Sequence, residues 1–284
     1  MSQPSIEIQP IAGAMGAEIR GVDLSKPLED AAFAAVKGAL LDHGAIFFRE
    51  QTLPPHAQLA FARRFGELDV HPIVNGMDEH PELVRVWKPA GQSASFGVGW
   101  HSDNSFFQEP SLGSVLYGVT IPPYGGDTLY AHMERAYQAL SPALRDFLDG
   151  LTAVHSAARA YAPSLVGEAK YAGDAPITYR YSEAVNEEAE HPVVRTHPET
   201  GRKSLYVNAM FTSRIVGLEP AESDALLDFL FEHMARPEFT CRFRWTPGAV
   251  AVWDNRCVQH YAMDDYRDFE RLMFRVTVRG DRPR

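Results

Sequence analysis

Residues 239–280 read FTCRFRWTPGAVAVWDNRCVQHYAMDDYRDFERLMFRVTVRG. Three runs within them, FTCRFRW, AVAVWDN and RLMFRVTVRG, alternate or concentrate Val, Phe and Trp, and turn-forming or charged residues separate them. β-Branched and aromatic side chains fit a half-buried pleated surface, so these runs predict three late strands. No helical segment stands between them. A regular strand–helix alternation would predict a doubly wound parallel sheet, and this stretch argues against one.

The same reading extends toward the N-terminus. SIEIQPI (5–11), AEIRGVDL (17–24), AIFFRE (45–50), ELVRVWKP (82–89) and SLGSVLYGVTIPP (111–123) read as strands. YGGDTLYAHM (124–133) reads as a glycine turn followed by a strand, and residues 191–208 as extended segments around an ETGRK turn. Helical periodicity is confined to EDAAFAAVKGALLDHG (29–44), PPHAQLAFARRFG (54–66), MERAYQALSPALRDFLDGL (133–151) and PAESDALLDFLFEHMARP (220–237). The third of these breaks at Ser141-Pro142. Many short strands with helices at the front and middle predict a mainly β fold, a sandwich or jelly roll with flanking helices. Residues 162–190 are polar and aperiodic, and so long a connection is expected to be a lid or binding loop.

Composition narrows the function. The 284 residues carry a formal net charge of −10, which argues against nucleic acid as the main partner. No apolar run is long enough to span a membrane, and the first residues, MSQPSIEIQP, lack a basic start and an apolar run. The two cysteines, Cys241 and Cys257, form no CxxC motif and are expected to be reduced and buried. A soluble, cytoplasmic, acidic protein is expected, long enough to bury a full core without disulfides.

The chemistry-bearing stretch is GWHSDNSFF, residues 99–107. His101 and Asp103 are two apart, so on an extended segment both side chains face the same side. They suit a surface pair, a buried hydrogen bond, or two ligands of a metal. A downstream histidine would complete the two-His-one-carboxylate set that binds non-haem iron(II) and leaves positions open. His260 in WDNRCVQHYA is the best candidate, because it follows a strand-like run. His71, His80, His155, His191 and His197 read as ordinary surface or packed histidines. Beyond His260 come Arg271 and Arg275, four apart in an alternating run and therefore on one face. They are solvated on an exterior face, or they point inward. Inward guanidiniums need anions, and arginine suits bidentate binding of carboxylate or sulfonate.

Taken together, these segments resemble the taurine dioxygenase and 2,4-dichlorophenoxyacetate dioxygenase family of Fe(II)/2-oxoglutarate enzymes. GAEIRGVDLSKPL, RRFGEL, WHSDNSF, GGDTLY, HPVVRTHPETGRKSLYVN, WDNRCVQHYA and the arginine pair carry the resemblance over nearly the whole chain. It implies one domain over residues 1–284, folded as a double-stranded β-helix, a distorted, cupin-like jelly roll. It implies that His101, Asp103 and His260 hold iron, and that Thr128 and Arg271 hold the distal carboxylate of 2-oxoglutarate. Arg275 and His71 would meet the acidic group of the substrate, with Phe211 and Tyr161 packed near it. Hydroxylation at a carbon bearing a heteroatom, consuming O2 and giving succinate and CO2, would follow. A dimer or tetramer is implied by the same resemblance.

Two positions depart from the taurine-specific pattern. Val74 stands where the taurine enzyme has a tyrosine, and Gly97 where it has an asparagine. Losing both polar groups favours a carboxylate or sulfonate with an apolar or aromatic tail, and TAVHSAARAY (152–161) resembles the aryloxypropionate-type members. Three other readings are compatible with parts of the sequence. They are a metal-binding cupin that is no oxygenase, a biosynthetic hydroxylase or desaturase with the same cosubstrate, and an interaction protein. The first would not need Thr128, Arg271 and Arg275 together, and the last leaves the inward histidines and arginines without a purpose.

Overall fold

A computed structural model describes residues 6–71, 73–92, 97–161 and 183–284. Its largest element is a seven-stranded sheet in the order β1-β2-β3-β13-β5-β15-β4. The strands are β1 (Glu7–Pro10), β2 (Ala17–Arg20), β3 (Ala45–Phe48), β4 (Leu83–Lys88), β5 (Gly113–Thr120), β13 (Val250–Asp254) and β15 (Arg271–Val278). All neighbours pair antiparallel except β2 with β3. Facing it is a three-stranded sheet in the order β12-β6-β14, formed by β6 (Thr128–His132), β12 (Thr240–Phe243) and β14 (Val258–Ala262). A second small sheet joins β7 (Thr152–Ser156), β8 (Glu188–Pro192) and β11 (Thr212–Ile215), and a hairpin joins β9 (Val194–Thr196) to β10 (Lys203–Leu205). This is the mainly β jelly roll expected from the strand runs.

Alternation along β15 shows how the sequence assigns faces. Phe274, Val276 and Val278 pack outward against α1 (Asp30–His43) and α2 (Pro55–Arg63), in a core with Phe33, Leu40, Leu59 and Phe61. The alternate residues Arg271, Met273 and Arg275 point into the space between the sheets. That inner layer is apolar at one end, where Phe47, Tyr130, Phe243, Trp245 and Trp253 pack together. The Phe47 and Phe243 rings stack with centroids 4.1 Å apart. The polar site lies at the other end. Outside the small sheet, α3 (Met133–Gln138), α4 (Pro142–Leu148) and α6 (Pro220–Met234) close a second core through Leu148, Leu227 and Leu230. A one-turn helix, α5 (Ala158–Tyr161), precedes the region outside the described residues.

The expected helices and strands fall close to their predicted places, with two corrections. Most of the expected lid over 162–190 lies outside the described residues, but its end does not. Residues 183–186 form a 3-10 turn, and 188–190 begin β8, paired antiparallel to β7. The sequence EAEHP hides this strand because its exposed face carries Glu188 and Glu190. The second correction is that β7, β11 and β14 are additional strands, the last concealed by the polar sequence VQHYA. Among the described residues, no helix is long and apolar enough to cross a membrane.

Candidate metal centre

The centre starts from one backbone bridge. His101 and His260 exchange both backbone hydrogen bonds, N to O at 3.1 and 2.9 Å. Residues opposed in this way put their side chains on the same face. The two imidazoles therefore lie side by side, with ring centroids 4.1 Å apart. His260 is held firmly, because β14 pairs along β6 with His260 opposite Tyr130.

Asp103 arrives differently from the sequence expectation. It does not continue a strand from His101 but sits in a turn. The chain reverses through Asn104, which adopts a left-handed φ of 55°. Asparagine tolerates that region better than most residues. The turn brings Asp103 Oδ1 to 3.6 Å from His101 Nε2 and 3.7 Å from His260 Nε2. The three ligand-type atoms lie within 4.8 Å of one another, and all three side chains are buried.

The other carboxylate oxygen of Asp103, Oδ2, is fully engaged by the protein. Arg275 Nη2 approaches it at 2.6 Å, Asn255 Nδ2 donates at 3.1 Å and Ser114 Oγ donates at 3.2 Å. Burial opposes ionisation of Asp103, but the Arg275 guanidinium outweighs it and holds the carboxyl well below its usual range. His260 shifts the same way for another reason. Burial, and then the neighbouring His101, push it well below the usual imidazole value, so it stays neutral.

This donor set fits a transition-metal ion. A metal-bound histidine commonly donates its other N–H to a backbone carbonyl, which fixes the tautomer. His101 Nδ1 lies 2.8 Å from the carbonyl of Gly99, which leaves Nε2 as the lone pair facing Asp103 and His260. Two imidazoles and one carboxylate oxygen, with no lysine or arginine between them, are the set that suits non-haem iron(II).

The cavity beside this trio is lined by Thr128, Trp253, Arg271 and Arg275 as well as the two histidines, and holds ≈ 40 Å³. Arg271 is 5% exposed and pairs with no carboxylate among the described residues. Its Nε has no hydrogen-bond partner there, and its guanidinium lies 5.7 Å from the Trp245 and Tyr266 rings. Burial lowers its pKa from the ordinary arginine value. An anion would offset that desolvation. Thr128 Oγ accepts from Trp245 Nε1 at 2.9 Å, so its own O–H remains a donor. Gly126 leaves room for Arg271 to lie here. Its φ is +68°, and a Cβ would stand 3.3 Å from Arg271 Cδ and Nε.

The remaining predicted site residues divide into two groups. Phe211 stands 6.2 Å from the His101 ring, and Tyr161 stands 6.0 Å from Phe211. With Phe106, Ile73 and Val74 they form an apolar cluster beside the centre. His71 lies 6.3 Å from Tyr161 but is committed to the protein. Its Nδ1 accepts from the backbone N–H groups of Ile73 and Val74, and its Nε2 donates to Asn104 Oδ1 at 3.1 Å. Trp100 packs on Tyr261 at 5.8 Å and against the outer core. Gly97 does line the cavity. At φ +76°, a backbone conformation that favours glycine, a Cβ would come 3.3 Å from His101 Cε1 and crowd the ring.

The Taurine catabolism dioxygenase TauD, TfdA family matches residues 7–277. The chain belongs to that family. This dioxygenase is 41% identical to an alpha-ketoglutarate-dependent sulfate ester dioxygenase of Pseudomonas putida, over 98% of this chain and 91% of the other. Its fold matches a taurine dioxygenase from Burkholderia xenovorans with a TM-score of 0.83 at 41% identity, covering 99% and 93% of the two chains. It also matches AAD-2, solved with Mn(II) and N-oxalylglycine, with a TM-score of 0.78 at 28% identity, covering 98% and 99%.

Sequence reading missed two residues that hold Asp103 in place. Asn255 and Ser114 carry no chemistry of their own, and only the fold brings them to Asp103. The WDNR tetrapeptide was the available signal, since it precedes His260 so closely.

Proposed function

We propose that this dioxygenase hydroxylates a small organic anion with an apolar body, at a carbon next to a heteroatom. The reaction consumes 2-oxoglutarate and O2 and yields succinate and CO2. One observation carries the reading: Arg271, a buried cation with no carboxylate partner among the described residues, shares a cavity with His101 and His260 of the converging trio. A cupin that only stores or senses a metal has no use for that cation.

The residues take roles by position. His101 Nε2, His260 Nε2 and Asp103 Oδ1 would hold Fe(II). When bound, the iron supplies activation of O2 with electrons from 2-oxoglutarate. Arg271 and the Thr128 hydroxyl would receive the distal carboxylate of that cosubstrate. Arg275 would meet the substrate's acidic group. It is at present paired with Asp103, so the substrate anion must share or displace that contact. Phe211, Tyr161, Phe106 and Val74 give an apolar wall for the substrate body and help exclude water. A substrate role for His71 requires it to release Asn104. The ≈ 40 Å³ void is smaller than the two organic anions, so side chains around it must move back on binding.

The apolar wall and the paired arginines favour alkyl sulfate esters, alkyl sulfonates and aryloxyalkanoates over taurine, whose amine finds no acidic partner among Val74, Phe211 and Tyr161. Residues 162–187, ahead of β8, are the proposed lid of a single catalytic domain. Two buried unpaired thiols, Cys241 and Cys257, support a reducing, cytoplasmic setting. A dimer or tetramer rests on resemblance, and light scattering decides it.

The test is succinate release with Fe(II), 2-oxoglutarate and O2 against a panel of those acids. Release that depends on all three and rises with one acid class supports the reading. Iron binding without succinate release for any acid, or without acid, defeats it.

A further inference from the structure

A second buried group of His, Asp and Cys lies close to the first in sequence. Asp254 Oδ1 accepts from the backbone N–H and Nε of Arg256, at 3.0 and 2.8 Å, and Oδ2 accepts from Arg256 Nη2 at 2.7 Å. His197 Nε2 donates to Oδ2 at 3.1 Å. Its Nδ1 accepts from the backbone N–H groups of Glu199 and Thr200, which fixes that tautomer. Arg256 Nη1 continues to Glu199 at 2.9 Å. The residue between Asp254 and Arg256 is Asn255, which reaches the metal centre.

Asn255 has a single possible orientation. Its Oδ1 accepts from the Asp103 backbone N–H at 3.2 Å and from Trp253 Nε1 at 3.0 Å. Both partners only donate, so the amide oxygen must face them and Nδ2 must face Asp103 Oδ2. The side chain and backbone of Asp103 are thus gripped by one buried amide, which is 0% exposed.

We propose that Asn255 is a positioning residue that reserves Asp103 Oδ1 for the metal by occupying Oδ2, and that the His197–Asp254–Arg256 cluster fixes the turn presenting it. This rests on the reading of the first trio as an iron centre. Arg275 also covers Oδ2, but a substrate anion competes for Arg275. Asn255 faces no such competitor, so it keeps the carboxylate in place throughout turnover. Outer partners of this kind typically change metal affinity by about 10–100-fold.

The experiment is titration of the full chain with Mn(II) alone, followed by the EPR signal of the free ion, beside thermal unfolding. Asn255→Ala and the milder Asn255→Ser, too short to reach Oδ2, should each weaken Mn(II) binding by about 10-fold or more. His197→Ala should weaken it less, through the turn. Leu230→Ala, in the outer core, serves as the control for lost stability: it should lower the melting temperature and leave Mn(II) affinity unchanged. Wild-type Mn(II) affinity in both folded Asn255 variants overturns the proposal and leaves the metal centre standing. Failure of the wild type to bind Mn(II) overturns the centre itself.

Discussion

Two clusters in this chain bring a histidine and an aspartate together in the dry interior with a third ligand-type residue, and they do opposite things. His101, Asp103 and His260 leave two imidazole lone pairs and one carboxylate oxygen facing each other. His197, Asp254 and Cys257 are equally buried and equally close, but Arg256 forks onto the Asp254 carboxylate. Burial, then Asp254 and Glu134, push the Cys257 thiol well above its ordinary value, so it stays protonated and a poor ligand. Spacing and burial therefore do not define a metal centre. The decisive feature is whether the protein has already satisfied the lone pairs. On the reading proposed above, the first cluster is a site and the second is a brace.

The largest effect should separate these roles completely. His260→Ala and Asp103→Ala should abolish metal binding and succinate release while the chain still folds, as circular dichroism can verify. Next, Arg256→Ala leaves Asp254 charged, buried and without its main partner. Breaking a buried ion pair in this way costs about 3–5 kcal/mol, which urea unfolding would register. A loss below about 1 kcal/mol would mean that the brace is not structural.

Arg271→Leu removes the cation without opening the fold. The half-saturating 2-oxoglutarate concentration should rise by about 30-fold or more, since losing one partner of a buried charge pair costs ~2 kcal/mol or more. Unchanged saturation would move the cosubstrate elsewhere.

Acid sensitivity provides the smallest and most graded test. Burial, then His191, lower the His155 pKa from 6.5 to about 3. Burial also lowers His191 and His132 to about 4. The unfolded chain binds these protons at a higher pH than the folded chain does. Stability should therefore fall as pH drops from about 6.5 toward 4, by up to about 1.4 kcal/mol per histidine per pH unit. Asp254 acts at lower pH. Burial opposes its charge, but Arg256 and His197 outweigh that and hold it below the usual range, so its contribution is present at neutral pH and lost only in strong acid. His155→Gln should flatten the stability profile between pH 6.5 and 4. A slope that His155→Gln leaves untouched would assign the acid response elsewhere.

These contrasts also show how much was legible in the sequence. The strand runs and the two long helices carry their own periodicity, so the jelly roll could be read from them. His101, Asp103, His260 and the arginine pair could be proposed because each is a reactive type at a meaningful spacing. Local geometry could not. Asp103 was expected on one strand with His101, and instead a left-handed turn at Asn104 delivers it. β14 and the start of β8 were hidden because polar residues occupy their exposed or site-facing positions. Asn255, Ser114 and the brace depend on contacts between residues far apart in the chain, and no local pattern encodes those. His71 shows the converse. Resemblance offers it to the substrate, and the fold in addition engages both of its ring nitrogens with Ile73, Val74 and Asn104, contacts that no motif in the sequence announces.

The most direct measurement counts metal ions per chain at equilibrium with Fe(II) under anaerobic conditions. The expected result is one ion, lost in His260→Ala and retained in Cys257→Ala. Two ions per chain, or one that survives His260→Ala and disappears in Cys257→Ala, would reverse the assignment of site and brace.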